Sequence, residues 1–237
     1  MTAILMTPDR LAAMIDHTFL KPYGTRADIE KLCSEARENH FAMVAINPAE
    51  IETCVRLLRG STVRVGAAIG FPLGQNTSAV KLFEISDAIQ RGAGEIDMVI
   101  NVRALQSGET GLVRTEIDQM ARVCRSTNVI SKVILETCYL SNDEKRMVCG
   151  MAQESGADFV KTSTGFGTAG ATIEDIKLMR AQVGPKMGVK AAGGIRTLAA
   201  ALAFIETGAT RIGTSAGVSL LNELRNRSTD EPEISFL

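Results

Sequence analysis

The chain has 237 residues, 45% of them hydrophobic and 22% charged, with a formal net charge of -1. So small a charge produces no long-range field, which argues against a nucleic-acid or anionic-membrane surface as the main partner and leaves room for a local basic pocket. The five cysteines (Cys33, Cys54, Cys124, Cys138, Cys149) are scattered without a CxxC pair, so neither a disulfide framework nor a zinc site is indicated.

In chain order, Thr7-Pro8 caps and starts a short N-terminal helix. Strand and helix patterns then alternate to the end. Apolar runs predict strands over about 15–20, 41–46, 63–69, 95–100, 129–135, 157–161, 187–191 and 210–213. Helical spacing predicts helices over about 28–39, 50–58, 77–91, 111–125, 141–155, 172–183, 198–207 and 216–225. A polar tail occupies about 226–237. Continuous apolar strands fit a parallel sheet covered on both faces. Eight successive βα units predict an α/β fold of the closed (β/α)₈ TIM-barrel type, as one domain over 1–237. An open doubly wound sheet is the competitor, but no GxGxxG follows the first strand. No stretch has the length of a membrane span, and the first ten residues do not read as a secretory signal. With free thiols, the expectation is a soluble cytoplasmic protein.

Barrel active sites lie at the C-terminal ends of the strands. The polar residues expected there are Asp16, Thr18, Asn47, Asp97, Asn101, Glu136, Thr137, Lys161, Lys190, Thr214 and Ser215. Lys161 has two readings: an amine snorkelling to solvent from a strand end, or a desolvated nucleophile that forms a Schiff base. Lys190, at the end of the next strand, favours the second. Two inward ammonium groups on neighbouring strands repel, and repulsion with desolvation lowers the pKa of one. Asp97 interrupts the apolar run Ile96-Asp97-Met98-Val99 and is either a structural salt bridge or a proton relay to a lysine. Glu95 starts its strand and so lies at the wrong end. His17 and His40 form no metal set with any carboxylate and read as structural or peripheral. Glycine-rich loops follow the last three strands at Gly165, at Gly193-Gly194 and at Gly213-Thr214-Ser215. Backbone N–H groups in such loops suit a small phosphorylated ligand.

The stretch Asp158-Phe159-Val160-Lys161-Thr162-Ser163-Thr164-Gly165-Phe166 resembles the Schiff-base strand of the 2-deoxyribose-5-phosphate aldolase family. Five further segments resemble that family in its order: Ile15 to Thr18, Ile69 to Gly74, Glu95 to Asn101, Val133 to Thr137 and Val189 to Arg196. The likeness spans roughly 11–221. It implies a metal-free, cofactor-free class I aldolase that reversibly cleaves 2-deoxy-D-ribose 5-phosphate to D-glyceraldehyde 3-phosphate and acetaldehyde. By resemblance, Lys161 forms the imine, Lys190 lowers its pKa, and Lys190 with Asp97 moves protons. Asp16 and Thr18 would line the site, and Gly165, Gly193, Gly194, Gly213 and Ser215 would cradle phosphate. Three positions depart from the family pattern: Ala45 where many members carry cysteine, Ala216 where some carry a second serine, and Phe236-Leu237 where some end in tyrosine. The alternatives are another lysine-imine barrel lyase of transaldolase type and a non-catalytic phosphosugar-binding barrel. A homo-oligomer is expected, with a dimer as the first guess.

Overall fold

The computed structural model describes residues 4–227 and the backbone of 235–236. The polar tail therefore lies mostly outside the described residues, as does Leu237. Short strand β1 (Ile4–Leu5) pairs antiparallel with β10 (Ser235–Phe236), a pairing the sequence reading did not anticipate. Between them run helix α1 (Pro8–Ala12), β2 (Ile15–Phe19), α2 (Arg26–Glu38), β3 (Met43–Ile46), α3 (Ile51–Leu57) and β4 (Arg64–Ile69). Then come α4 (Ser78–Gln90), β5 (Glu95–Val99), α5 (Val102–Gln106), α6 (Thr110–Ser126), β6 (Ile130–Ile134) and α7 (Asn142–Ser155). The chain finishes with β7 (Phe159–Lys161), α8 (Ile173–Val183), β8 (Gly188–Ala192), α9 (Leu198–Thr207), β9 (Arg211–Thr214) and α10 (Gly217–Arg225). Strands β2 to β9 close in sequence order into a parallel barrel, so the expected (β/α)₈ fold is present. The short helix α5 is a further element, started by Asn101, whose side chain accepts from Ala104 N at 3.0 Å.

Local chemistry explains the helix starts. Thr7, Thr77, Ser141, Thr172 and Thr197 each accept a backbone N–H at an N-cap, and Ser141 with Glu144 completes a capping box. Alternation along the strands separates two interiors. Val44, Ile46, Val65, Ala67, Ile69, Ile96, Met98, Val133, Val160, Val189 and Ile212 join the apolar layer between sheet and helices. The residues between them face the barrel axis. There Gly66 leaves space for Met43, whose Cε would be 2.5 Å from a Cβ at position 66. Gly188 does the same for the Phe159 ring, 2.1 Å from such a Cβ. These close approaches pack Met43 and Phe159 into the barrel axis beside its charged side chains: Lys132 Nζ lies 3.5 Å from Met43 Sδ and 5.9 Å from the Phe159 ring centroid. No described helix is long and apolar enough to cross a membrane.

Candidate active site

Seven ionisable side chains converge on the barrel axis. Lys161 and Lys190 are register partners on β7 and β8. Both point inward, and both donate to the same oxygen, Asp97 Oδ2, at 3.0 and 2.8 Å. Lys132, the register partner of Asp97 on β6, donates to Asp97 Oδ1 at 2.8 Å and also to Glu95. Asp16 Oδ2 lies 2.5 Å from Lys190 Nζ, as a close charge contact rather than an aligned hydrogen bond, while Arg211 holds Asp16 Oδ1 and, at 2.9 Å, Glu95. All of these groups except Arg211 are at most 3% exposed.

This is three carboxylates against four cations, so ionising every group leaves one positive charge too many inside the barrel. Releasing one proton removes the excess. Lys161 is the group placed to release it, because it has one carboxylate partner where Lys190 and Lys132 each have two. Burial and then the neighbouring Lys190 ammonium push the Lys161 amine down to about 8, against the pull of Asp97. Burial would raise Asp97, but Lys132, Lys190 and Lys161 outweigh it and hold the carboxyl well below the usual range. For Lys132 the balance tips the other way: burial lowers it, yet Asp97 and Glu95 raise it overall. The network therefore keeps Lys132 charged and makes a neutral Lys161 accessible near neutral pH. A neutral amine at a strand end can add to a carbonyl carbon.

Above these charges opens a cavity of about 500 Å³. Lys161 and Lys190 form part of its floor, and Thr18, Gly165, Gly193, Gly194, Gly213 and Ser215 all line it. Asp16, expected to line the site, lies one layer lower and is fully buried among Lys190, Lys132 and Arg211. Asp97 likewise touches the lysines from below rather than the cavity. The glycines are required by geometry. At Gly193 (φ +93°) a Cβ would sit 2.8 Å from Gly170 Cα. At Gly213 it would press on Lys190 Cε at 3.1 Å. Thr214 fixes the last loop by donating to Ile195 O and accepting from Ala216 N at 2.9 Å. Ala45 is buried on the inner face of β3, beside Thr18 in register. His17 faces the outer layer, where its Nε2 is 2.8 Å from Glu35 Oε2.

The chain matches the model of the DeoC/LacD family aldolases over residues 10–223. The chain belongs to this aldolase family. The aldolase is 66% identical over 216 residues to the deoxyribose-phosphate aldolase of Bacteroides thetaiotaomicron, covering 91% of each chain. It is 52% identical over 218 residues to that of Thermococcus gammatolerans, covering 91% of this chain and 97% of the other. Among solved structures, the tetrameric deoxyribose phosphate aldolase of Aeropyrum pernix superposes with a TM-score of 0.86 at 32% identity, over 93% of both chains.

Sequence reasoning missed Lys132 and Arg211 in this aldolase. Both interrupt apolar strands at positions with inward parity, the same signal that singled out Asp97. Glu95 does sit at the lower end of its strand, and there it binds Lys132 and Arg211. Among the described residues no group of three or more His, Cys, Asp or Glu is placed to hold a metal ion.

Proposed function

We propose that the chain is a class I aldolase, a lyase that reversibly cleaves 2-deoxy-D-ribose 5-phosphate to D-glyceraldehyde 3-phosphate and acetaldehyde. One observation carries the chemistry: a buried lysine with a depressed pKa, sharing a carboxylate oxygen with a second lysine at the floor of a glycine-lined cavity. The names of the most similar relatives support the substrate.

The neutral amine of Lys161 adds to C1 of the open-chain aldehyde. The carbinolamine oxygen takes a proton and leaves as water, giving a protonated imine. That imine draws the C2–C3 electron pair toward nitrogen as the 3-hydroxyl gives up its proton. Glyceraldehyde 3-phosphate departs, and an enamine of acetaldehyde stays on Lys161. Protonation at C2 and hydrolysis then return the free amine. Asp97 and Lys190 are the groups within reach to carry these protons, since each is hydrogen-bonded directly or through one oxygen to Lys161. Thr18 is exposed to the cavity and can hold water or a substrate hydroxyl, while Asp16 acts through Lys190. Gly165, Gly193, Gly194, Gly213 and Ser215 hold the phosphate through backbone N–H groups and one hydroxyl.

The reading includes one domain, a cytoplasmic setting and self-association. All five thiols are free, which suits a reducing compartment. Val80 and Phe83, one helical turn apart on α4 and 45% and 71% exposed, offer an apolar contact for a dimer. Light scattering of Phe83→Glu against wild type tests that dimer. The enzymatic reading is tested by borohydride reduction in the presence of substrate: the adduct must map to Lys161, and Lys161→Ala must label no more than background. Retro-aldol turnover should persist in a chelator, and its loss there would contradict the metal-free route.

A further inference from the structure

Glu136 stands two residues beyond β6 in the left-handed region, with φ 55° and ψ 63°. That conformation costs a residue other than glycine about 1–3 kcal/mol and persists only when the surroundings demand it. The demand does not come from the 3-10 turn Thr137–Tyr139 that Glu136 precedes, because its side chain makes no capping bond there. It comes from the loop after Lys161. The carboxylate is 3% exposed, and both its oxygens bind Thr164: Oε1 accepts from Thr164 N at 3.1 Å, and Oε2 accepts from the Thr164 hydroxyl, with Cys138 Sγ a longer contact to Oε1 at 4.0 Å. Thr164 Oγ1 in turn accepts from Phe166 N at 3.0 Å. Thr137 N, beside Glu136, donates to Thr162 O at 3.0 Å. Gly167 packs so closely against Cys138 and Glu136 that a Cβ would lie 2.7 Å from Cys138 Sγ.

The clamp thus spans Thr164 to Gly167. Inside it sits Gly165, at φ +89° with no atom within 4 Å of a Cβ position, facing the cavity above Lys161. A second cavity of about 530 Å³ lies on the other side of Thr164 and Phe166, lined by Leu73, Val99, Val102, Glu136 and Tyr139. Thr164 and Phe166 are the wall between the two. Among the described residues no other hydrogen bond joins 164–167 to the loop after β6. Without the clamp, Phe166 keeps its edge-on contact with the Phe71 ring at 5.4 Å, but Thr164 loses its anchor beside Gly165, and the anion-binding backbone is held less firmly against the loops at Gly193 and Ser215.

We infer that Glu136 is a positioning residue which, through Thr164, sets the preference of this aldolase for phosphorylated over unphosphorylated substrate. This rests on the reading of the cavity as a phosphosugar site. Lys161, where the substrate reacts, is itself held by β7 and by Asp97, so loss of the clamp falls on the phosphate end.

The test compares 2-deoxyribose 5-phosphate with 2-deoxyribose as substrates for wild type, Glu136→Gln, Thr164→Val, the double variant and Thr164→Ser. Glutamine keeps the size of the side chain, but its amide nitrogen cannot accept the Thr164 hydroxyl. The ratio of kcat/KM for the phosphorylated to the plain sugar should fall about ten- to hundredfold in Glu136→Gln and in Thr164→Val, as for loss of one charge-assisted hydrogen bond. The fall should appear in KM. The double variant should be no worse than the singles, and Thr164→Ser should keep the wild-type ratio. Inhibition by inorganic phosphate should weaken by the same factor, which gives a reading even where plain deoxyribose turns over slowly. If both sugars lose activity equally, or phosphate inhibition is unchanged, Glu136 is only a structural brace and the inference fails. A wild-type chain that does not cleave 2-deoxyribose 5-phosphate would instead overturn the functional reading beneath it.

Discussion

Replacing Lys190 with methionine removes one charge and little volume, and its effect on Lys161 can be worked out beforehand. The two ammonium nitrogens lie 3.0 and 2.8 Å from one carboxylate oxygen, so they are no more than about 6 Å apart. At an effective dielectric of about 20 their repulsion is roughly 2.8 kcal/mol, or about two pKa units. Removing it should move the Lys161 amine from about 8 toward about 10, with burial still holding it below a free lysine. Asp97, relieved of one partner, pulls the same way. At pH 7.5 the neutral fraction then falls from about a quarter to about 0.3%, so imine formation should slow roughly 75-fold. The assay is cyanoborohydride trapping with acetaldehyde, followed by mass spectrometry from pH 6.5 to 10.5. Trapping requires only the amine, so it separates the pKa of Lys161 from any proton transfer by Lys190. The midpoint should move up by at least one unit, and the variant should recover its rate near pH 10. A midpoint that stays near 8 with a lower plateau would refute the charge reasoning and leave burial as the sole cause of the shift.

Asp97→Asn should leave Lys132, Lys161 and Lys190 without their common anion and cost about 3–5 kcal/mol of stability in urea titration. Because the folded-state pKa of Asp97 is depressed, its contribution is present above about pH 4 and is lost as the pH falls below that. The wild type should therefore lose stability in acid more steeply than the variant. Gly193→Ala should raise KM for the phosphorylated sugar and cost about 1–3 kcal/mol, since its methyl meets Gly170 backbone at φ +93°. Gly194→Ala, with open space at φ +80°, should cost less in the same melting experiment. On the outer side of the barrel Lys81 and Glu116 form a buried pair at 2.7 Å, 1% and 2% exposed. Lys81→Met alone should cost about 3–5 kcal/mol, and adding Glu116→Leu should recover most of it. Equal stability of the single and double variants would contradict that account.

Much of this molecule can be read from its residues in order. The alternation of apolar runs with helical spacing is local, and so are the caps at Thr7, Thr77, Ser141 and Thr172, so eight βα units and their barrel follow without coordinates. Lys161, Lys190 and Asp97 are visible because a charge within an apolar strand is costly wherever it falls. Other features depend on which strand lies beside which. Asp97 is 64 residues from Lys161 and 93 from Lys190, and only barrel closure and register bring them to one oxygen. Lys132 and Arg211 carry the same local signal as Asp97, yet their roles emerge only when the inward faces are superposed and the charges counted. Asp16 lies below the cavity wall because it stands mid-strand on β2, two residues before Thr18, which lines the cavity, and is fully buried with its carboxylate against Lys190. The clamp at Glu136 depends on a left-handed backbone that no propensity for glutamate would suggest. Residue types and their spacing thus determine the barrel and single out Lys161 as the candidate nucleophile. The amine's pKa and the shape of the glycine-lined cavity are sums over neighbours distant in sequence, and those sums exist only once the barrel is closed.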